Sequence, residues 1–253
     1  MNEDYKKIFS CIDNTTLEGC DTKEKVRQLC QKSLNLVDSK RGIQSVAAVC
    51  VYPIFVKEAH ELLKGSGINV ASVAGGFPAG QIPLKLKLAE VQYAIDEGAD
   101  EIDMVISRGA LIEGDEQRVA DEIVAIREVC KNKRLKVILE TGELLSEELI
   151  TKASMIAMES GADFIKTSTG KIKISATLEA AKIMLESIAK FYKKSGKIVG
   201  FKAAGGISTP EQALLYMKLA EQYMGTEYIN KQYFRIGASR LTDKLFSFLT
   251  NEC

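Results

Sequence analysis

The chain has 253 residues, 46% of them hydrophobic, enough for one large α/β barrel or two small domains around a sizeable core. Lys plus Arg equals Asp plus Glu at 34 each, a balance that argues against a nucleic-acid or membrane surface. No apolar run reaches the roughly 18 residues of a membrane span. The opening MNEDYKKIFS lacks the charged-then-apolar order of a signal peptide, so a cytoplasmic protein is expected.

Strand-like runs rich in Val and Ile recur along the chain. They are IFSCIDN (8–14), SVAAVCVY (45–52), NVASVAGG (69–76), EIDMVIS (101–107), LKVILET (135–141), DFIKTS (163–168), IVGFKAA (198–204) and YFRIGAS (233–239). Their nearly continuous apolar character suits parallel strands covered on both faces. Helical patterns fill the gaps. VKEAHELLKG is amphipathic and carries His60, the single histidine, as a plain helix residue. LKLKLAEVQYAIDEG places Leu84, Leu88, Val91 and Ile95 on one face. SEELITKASMIAMESG opens with Ser146 ahead of Glu147 and Glu148, which suit the positive end of a helix dipole. STPEQALLYMKLAEQYMG opens with Thr209 as N-cap, Pro210 at the first helical position and Gln212 completing a capping box. Gly98, Gly161 and Gly196 stand where helices should stop.

Eight β/α units in this length predict a single-domain TIM (β/α)8 barrel over residues 1–253. A doubly wound open sheet is the runner-up, but it needs no eight evenly spaced units. With one histidine, a catalytic zinc site built on two or three His cannot be assembled, and a Ser-His-Asp triad would have to use His60. The six cysteines, at 11, 20, 30, 50, 130 and 253, include no C-x-x-C pair and read as free thiols of a reducing compartment. No metal and no cofactor is expected.

Active sites of such barrels lie at the C-terminal ends of the strands. The polar residues there are Asp13, Cys50, Asp103, Glu140, Lys166, Lys202, Gly205, Gly206 and Ser239. Lys166 ends strand six and Lys202 ends strand seven, and adjacent strands lie about 4.8 Å apart. Two ammonium groups so close disfavour protonation. Lowering a lysine pKa from about 10.4 to about 7 raises the neutral, nucleophilic fraction about a thousandfold, at a cost of roughly 4.6 kcal/mol. That prepares a lysine to attack a carbonyl and form a Schiff base. The alternative is that both lysines are structural ion-pair partners of Asp103 and Glu140. Asp103, flanked by Ile102 and Met104, is either functional or paired, and beside Lys202 it could move protons through water. Glu140 is expected to hold Arg235. Gly205-Gly206 after strand seven and the Gly-x-Ser ending at Ser239 after strand eight suit the phosphate site of these barrels.

ADFIKTSTG, VGFKAAGGI, ADEIDMVIS, LKVILETGEL and AAVCVYP together resemble the deoxyribose-phosphate aldolase family, from about Ile12 to about Leu249. The resemblance implies a class I, metal-independent aldolase on a TIM barrel. Such an enzyme cleaves 2-deoxy-D-ribose 5-phosphate reversibly to acetaldehyde and D-glyceraldehyde 3-phosphate, in deoxyribose catabolism. It implies Lys166 as the Schiff-base lysine, Lys202 as the second lysine and Asp103 as the acid/base partner. Gly205, Gly206 and Ser239 resemble phosphate-binding positions. Asp13, Thr16, Cys50, Thr169 and Lys171 match positions lining the pocket. The expected partners are small sugar phosphates and aldehydes, with no nucleic acid and no membrane, and a homodimer is plausible.

Three departures stand out. The sequence closes on FLTNEC, without the tail tyrosine that assists protonation in some relatives, and Tyr228 and Tyr233 are expected to belong to the last barrel unit. Arg240 replaces a second serine. Asn14 stands where several relatives carry His or Leu. Other readings are a Schiff-base aldolase for a larger ketose phosphate, a non-catalytic sugar-phosphate-binding barrel, and an isomerase barrel without a covalent step.

Overall fold

The computed structural model describes residues 2–251 and shows eight parallel strands closed into a barrel in the order β1 to β8. The strands are β1 (Ile12–Thr15), β2 (Ala48–Val51), β3 (Asn69–Ala74), β4 (Glu101–Val105), β5 (Arg134–Ile138), β6 (Phe164–Lys166), β7 (Gly200–Ala204) and β8 (Phe234–Ala238). Helices α1 (Asn2–Ser10), α2 (Lys23–Asn35), α3 (Val56–Leu63), α4 (Leu84–Asp96), α5 (Arg108–Ile112), α6 (Glu116–Cys130), α7 (Glu147–Glu159), α8 (Leu178–Ser195), α9 (Pro210–Met224) and α10 (Leu241–Asn251) complete the elements used below. The TIM barrel expected from the sequence is the fold observed. No helix among the described residues is long and apolar enough to cross a membrane.

The helix signals hold. Ser146 and Thr209 cap α7 and α9 with their side chains, and Thr209 and Gln212 form the full capping box. Gly98, Gly161 and Gly196 adopt positive φ at helix ends. His60 is an exposed residue of α3. Tyr228 and Tyr233 stack near the last unit, with the Tyr228 hydroxyl donating to Val199 O.

One expectation needs correction. The run 8–14 is not one strand, because Ile8, Phe9 and Ser10 end α1 and β1 begins at Ile12. Tyr5, Ile8 and Phe9 recur at helical spacing, and Tyr5 and Phe9 pack edge-on or tilted against Phe248 and Phe246 of α10. On α4 the buried residues are Lys87, Val91 and Ala94, with Leu84, Leu88 and Ile95 only half-buried. Lys87 turns inward because its ammonium lies 2.8 Å from Glu122 of α6 and donates to Ser107 Oγ at 2.7 Å. Residues 252 and 253, the end of FLTNEC, lie outside the described residues.

The strand pleat sorts residues between two cores. Ile12, Val49, Val70, Ile102, Met104, Leu135, Val137, Ile165, Phe201, Phe234 and Ile236 face outward into the large apolar layer beneath the helices. The interior differs around its circumference. On the β2–β3 side it is small and apolar: Ala48, Cys50, Ala71 and Val73. The rest carries charge: Asp13, Glu101, Asp103, Lys136, Lys166, Lys202 and Arg235, all buried. Phe164 and Gly200 seat this charged half, with the Arg235 guanidinium 5.8 Å from the Phe164 ring centre.

A Cβ at Gly200 would lie 2.4 Å from the Phe164 ring, which sits under the Arg134 and Arg235 guanidiniums at 5.6 and 5.8 Å. Gly200→Ala is therefore expected to cost about 1–3 kcal/mol of stability, measured by urea unfolding.

Candidate active site

Asp103, in the middle of β4, accepts from three lysines. Lys136 Nζ donates to its Oδ1 at 2.6 Å, and Lys166 Nζ and Lys202 Nζ both donate to its Oδ2, at 2.8 and 2.7 Å. The register explains the meeting, since Asp103 stands level with Lys136, and Lys166 level with Lys202. A second carboxylate, Asp13, accepts from Lys202 Nζ and, at 2.5 Å, from Arg235 Nη1. Glu101 closes the network. It lies 2.5 Å from Lys136 Nζ, and Arg235 Nη2 donates to it at 2.8 Å.

The buried network holds three carboxylates and four cationic side chains. Taking a charge out of water is tolerable only when it is paired, so one cation is in surplus. Lys136 has Asp103 and Glu101 at contact distance, and Lys202 has Asp103 and Asp13. Lys166 has only an oxygen of Asp103 that Lys202 also uses. The titration follows this count. Burial, helped by the Lys202 charge, pushes the Lys166 pKa below the ordinary lysine value against the pull of Asp103. Burial also opposes the charge of Lys202 and of Lys136, but the carboxylates outweigh it and both pKa values are raised. Asp103 is buried too, yet its three lysines hold it well below the usual carboxylate range. Cys50, pushed up to about 11 by burial and by Asp103, stays a neutral thiol.

Lys166 is the one member of the network that reaches open space. It lines a cavity of about 250 Å³ bounded by Thr15, Leu17, Glu18, the 169–171 and 204–208 loops, and residues 237–240. Gly205 and Gly206 both have positive φ, and a Cβ on Gly205 would strike Ser175 at 2.4 Å. Consecutive backbone amides in such a turn, with α10 starting just after Ser239 and Arg240, form an anion-accepting rim. Lys171 and Arg240 add positive charge to that rim. Glu140, also at positive φ, accepts from Thr169 N at 3.1 Å and Thr169 Oγ1 at 2.5 Å, which fixes the loop after Lys166.

Of the residues expected at the site, Lys166, Thr169, Lys171, Gly205, Gly206 and Ser239 line the cavity. Asp103 and Lys202 adjoin Lys166 without lining the cavity, both lysines donating to one Asp103 oxygen. Asp13 is fully buried in the network and does not line the cavity, and Cys50 is buried in the apolar interior beside that network. The Thr16 hydroxyl is engaged by Asp21 at 2.9 Å, and the neighbouring Thr15 lines the cavity instead. The expected Glu140–Arg235 pair does not form. Arg235 enters from the N-terminal half of β8 and meets Asp13 and Glu101, whereas Glu140 lies beyond the C-terminal end of β5. The structural partner foreseen for the lysines is thus right for Asp103 and wrong for Glu140. Lys136 and Glu101 were not anticipated, although their strand positions carry the signal, as inward charges at period two.

The DeoC/LacD family aldolase model matches residues 7–228. The chain is 45% identical over 248 residues to deoxyribose-phosphate aldolase of Homo sapiens, covering 93% of this chain and 77% of the relative. The corresponding enzyme of Mus musculus is 46% identical over the same shares. The chain belongs to the DeoC/LacD aldolase family. Among solved structures, the tetrameric deoxyribose phosphate aldolase from Aeropyrum pernix superposes with a TM-score of 0.75 at 27% identity, covering 96% of this chain and 92% of that one.

Two measurements test the charge count. Lys202→Met removes the cation that repels Lys166 and frees a carboxylate oxygen for it. The labelling of Lys166 by an amine-reactive reagent, followed by mass spectrometry, is expected to need a pH higher by about one unit or more. For stability, the folded pKa of Lys166 is below its unfolded value of about 10.4. Between the two the folded state binds fewer protons, so this residue makes stability rise with pH across that window. Lys136 and Lys202, with raised values, contribute the opposite slope at higher pH. The difference between the wild type and Lys166→Met, measured by urea unfolding over the window, isolates the Lys166 slope.

Proposed function

We propose that this protein is a deoxyribose-phosphate aldolase of class I, a carbon–carbon lyase. It interconverts 2-deoxy-D-ribose 5-phosphate with acetaldehyde and D-glyceraldehyde 3-phosphate through a Schiff base on Lys166. The observation that carries the reading is Lys166 itself: a buried lysine with a lowered pKa, open to a small anion-accepting cavity, with a proton-handling pair beneath it. The named relatives that cover most of the chain support the substrate.

The roles follow from position. The neutral Lys166 amine adds to C1 of the open-chain sugar phosphate, and loss of water gives an iminium. Asp103 Oδ2 lies within hydrogen-bond reach of that nitrogen and steadies its charge. Abstraction of the C3 hydroxyl proton breaks the C2–C3 bond, glyceraldehyde 3-phosphate leaves, and the electron pair is held as an enamine. Protonation at C2 and hydrolysis return acetaldehyde and the free amine. Lys202 and Asp103, hydrogen-bonded at 2.7 Å, form the relay for these protons, through water. Gly205, Gly206, Ser239 and Lys171 hold the phosphate at the rim. A single-domain cytosolic enzyme in deoxyribose breakdown is the setting this reading implies. Self-association, as the homodimer expected from the sequence, finds support in the tetrameric relative.

The decisive test is borohydride trapping. Protein incubated with acetaldehyde and reduced is expected to gain an ethyl group, about 28 Da, on the peptide containing Lys166 and nowhere else. Lys166→Met, folded by circular dichroism, should show no adduct and no cleavage activity. An unmodified Lys166 in folded wild type would sink the aldolase reading. Dihydroxyacetone trapped in preference to acetaldehyde would move the reading to a larger ketose substrate.

A further inference from the structure

Glu18 is the one acidic residue lining the cavity, and its Oε1 lies 3.0 Å from Nζ of Lys171, a cation of the rim. The two side chains reach across the mouth from the loops after β1 and after β6. Both main chains are fixed. Glu18 N donates to Asp21 Oδ2 at 2.9 Å, and Lys171 N donates to Thr169 Oγ1 at 3.1 Å, itself bound to Glu140. Motion is therefore left to the side chains. The Glu18 side chain is 61% exposed and that of Lys171 only 24%, so the carboxylate is the half free to leave. It also lines a neighbouring groove that contains Lys25 and Lys32, paired there with Asp21 and Asp243, so a displaced carboxylate has room outside the cavity.

We propose that Glu18 is an internal placeholder for the substrate phosphate. It pairs with Lys171 while the cavity is empty and is displaced when a phosphate monoester arrives. This rests on the sugar-phosphate reading above and assigns its affinity control to a residue outside the lysine chemistry. A carboxylate and a phosphate cannot share one ammonium without repulsion, so Glu18 weakens phosphate binding and hastens release of the phosphorylated product. The pair is solvent-exposed, so the effect is modest and screened by salt.

Glu18→Gln keeps the shape and removes the charge. Calorimetric titration with inorganic phosphate at low ionic strength is expected to show about two- to fivefold tighter binding to the variant, with the gap closing at high salt. KM for glyceraldehyde 3-phosphate in the synthetic direction should fall by a similar factor, with no such gain for unphosphorylated glyceraldehyde. In a Lys171→Met background the gain should vanish. Unchanged or weaker phosphate binding by Glu18→Gln overturns the proposal, the weaker case making Glu18 a positioning partner of Lys171. Absence of phosphate binding by both proteins overturns it as well. Tighter phosphate binding without an acetaldehyde adduct on Lys166 would leave the placeholder standing and remove the aldolase reading.

Discussion

The Asp103 carboxylate, set between three lysines inside a closed barrel, is the constraint on which the site depends. Its Oδ2 accepts from Lys166 and Lys202 together, so the two ammonium positions are tied to a single oxygen. In water that crowding would be relieved by solvation. Here both lysines are buried, and the remaining relief is loss of a proton. Geometry chooses which lysine loses it. Lys202 has Asp13 as a second carboxylate below, whereas Lys166 has only its share of Asp103.

Such an interior is expensive, and the architecture confines the expense. The charged groups come from β1 and β4 to β8, while Ala48, Cys50, Ala71 and Val73 keep the β2–β3 sector uncharged. Most outward strand positions feed a continuous apolar layer under the helices, whose burial carries stability independently of the charges. The rim is built from different material: backbone amides of glycines, a helix start and flexible surface cations. The proposed nucleophile and the proposed anion site thus answer to different physics. The first depends on desolvation and is insensitive to salt, and the second depends on exposed charge and is tunable from the surface.

The sequence revealed the parts of this plan that are written in local pattern. Eight apolar runs separated by capped helices specify the barrel, and a lysine at the end of each of two successive runs is visible as an anomaly. Only a register could reveal the balance of the interior. Lys136 and Glu101 look like tolerable edge residues of their strands until pairing sets Asp103 level with Lys136 and points Glu101 at Arg235. Glu140 was misassigned for the same reason. Its place near the top of β5 says nothing of depth relative to Arg235, which enters lower on β8. At the N-terminus, Ile8 and Phe9 continue an apolar run into β1, and the contacts of Tyr5 and Phe9 with α10 show that the period there is helical. Thr15 and Thr16 differ by one residue, and the pleat decides which one faces the cavity.

The same charge count bears on the chemistry beyond the first step. In the reaction proposed above, an iminium on Lys166 would restore the cation that the network disfavours, one positive charge in surplus and steadied only by the shared Asp103 oxygen. Cleavage of the C2–C3 bond delivers an electron pair that converts the iminium to a neutral enamine and returns the interior to three anions against three cations. An environment that disfavours a charged nitrogen at this position therefore assists two steps: it frees the amine to attack, and it favours collapse of the iminium toward products. Lys202 rests charged, held by Asp13 as well as Asp103, so in the proposed reaction it supplies a positive field beside the reacting centre between its proton exchanges and is no competing nucleophile. Removing that cation would relax both effects together, which is why one carboxylate shared by two lysines does more than two separate ion pairs would.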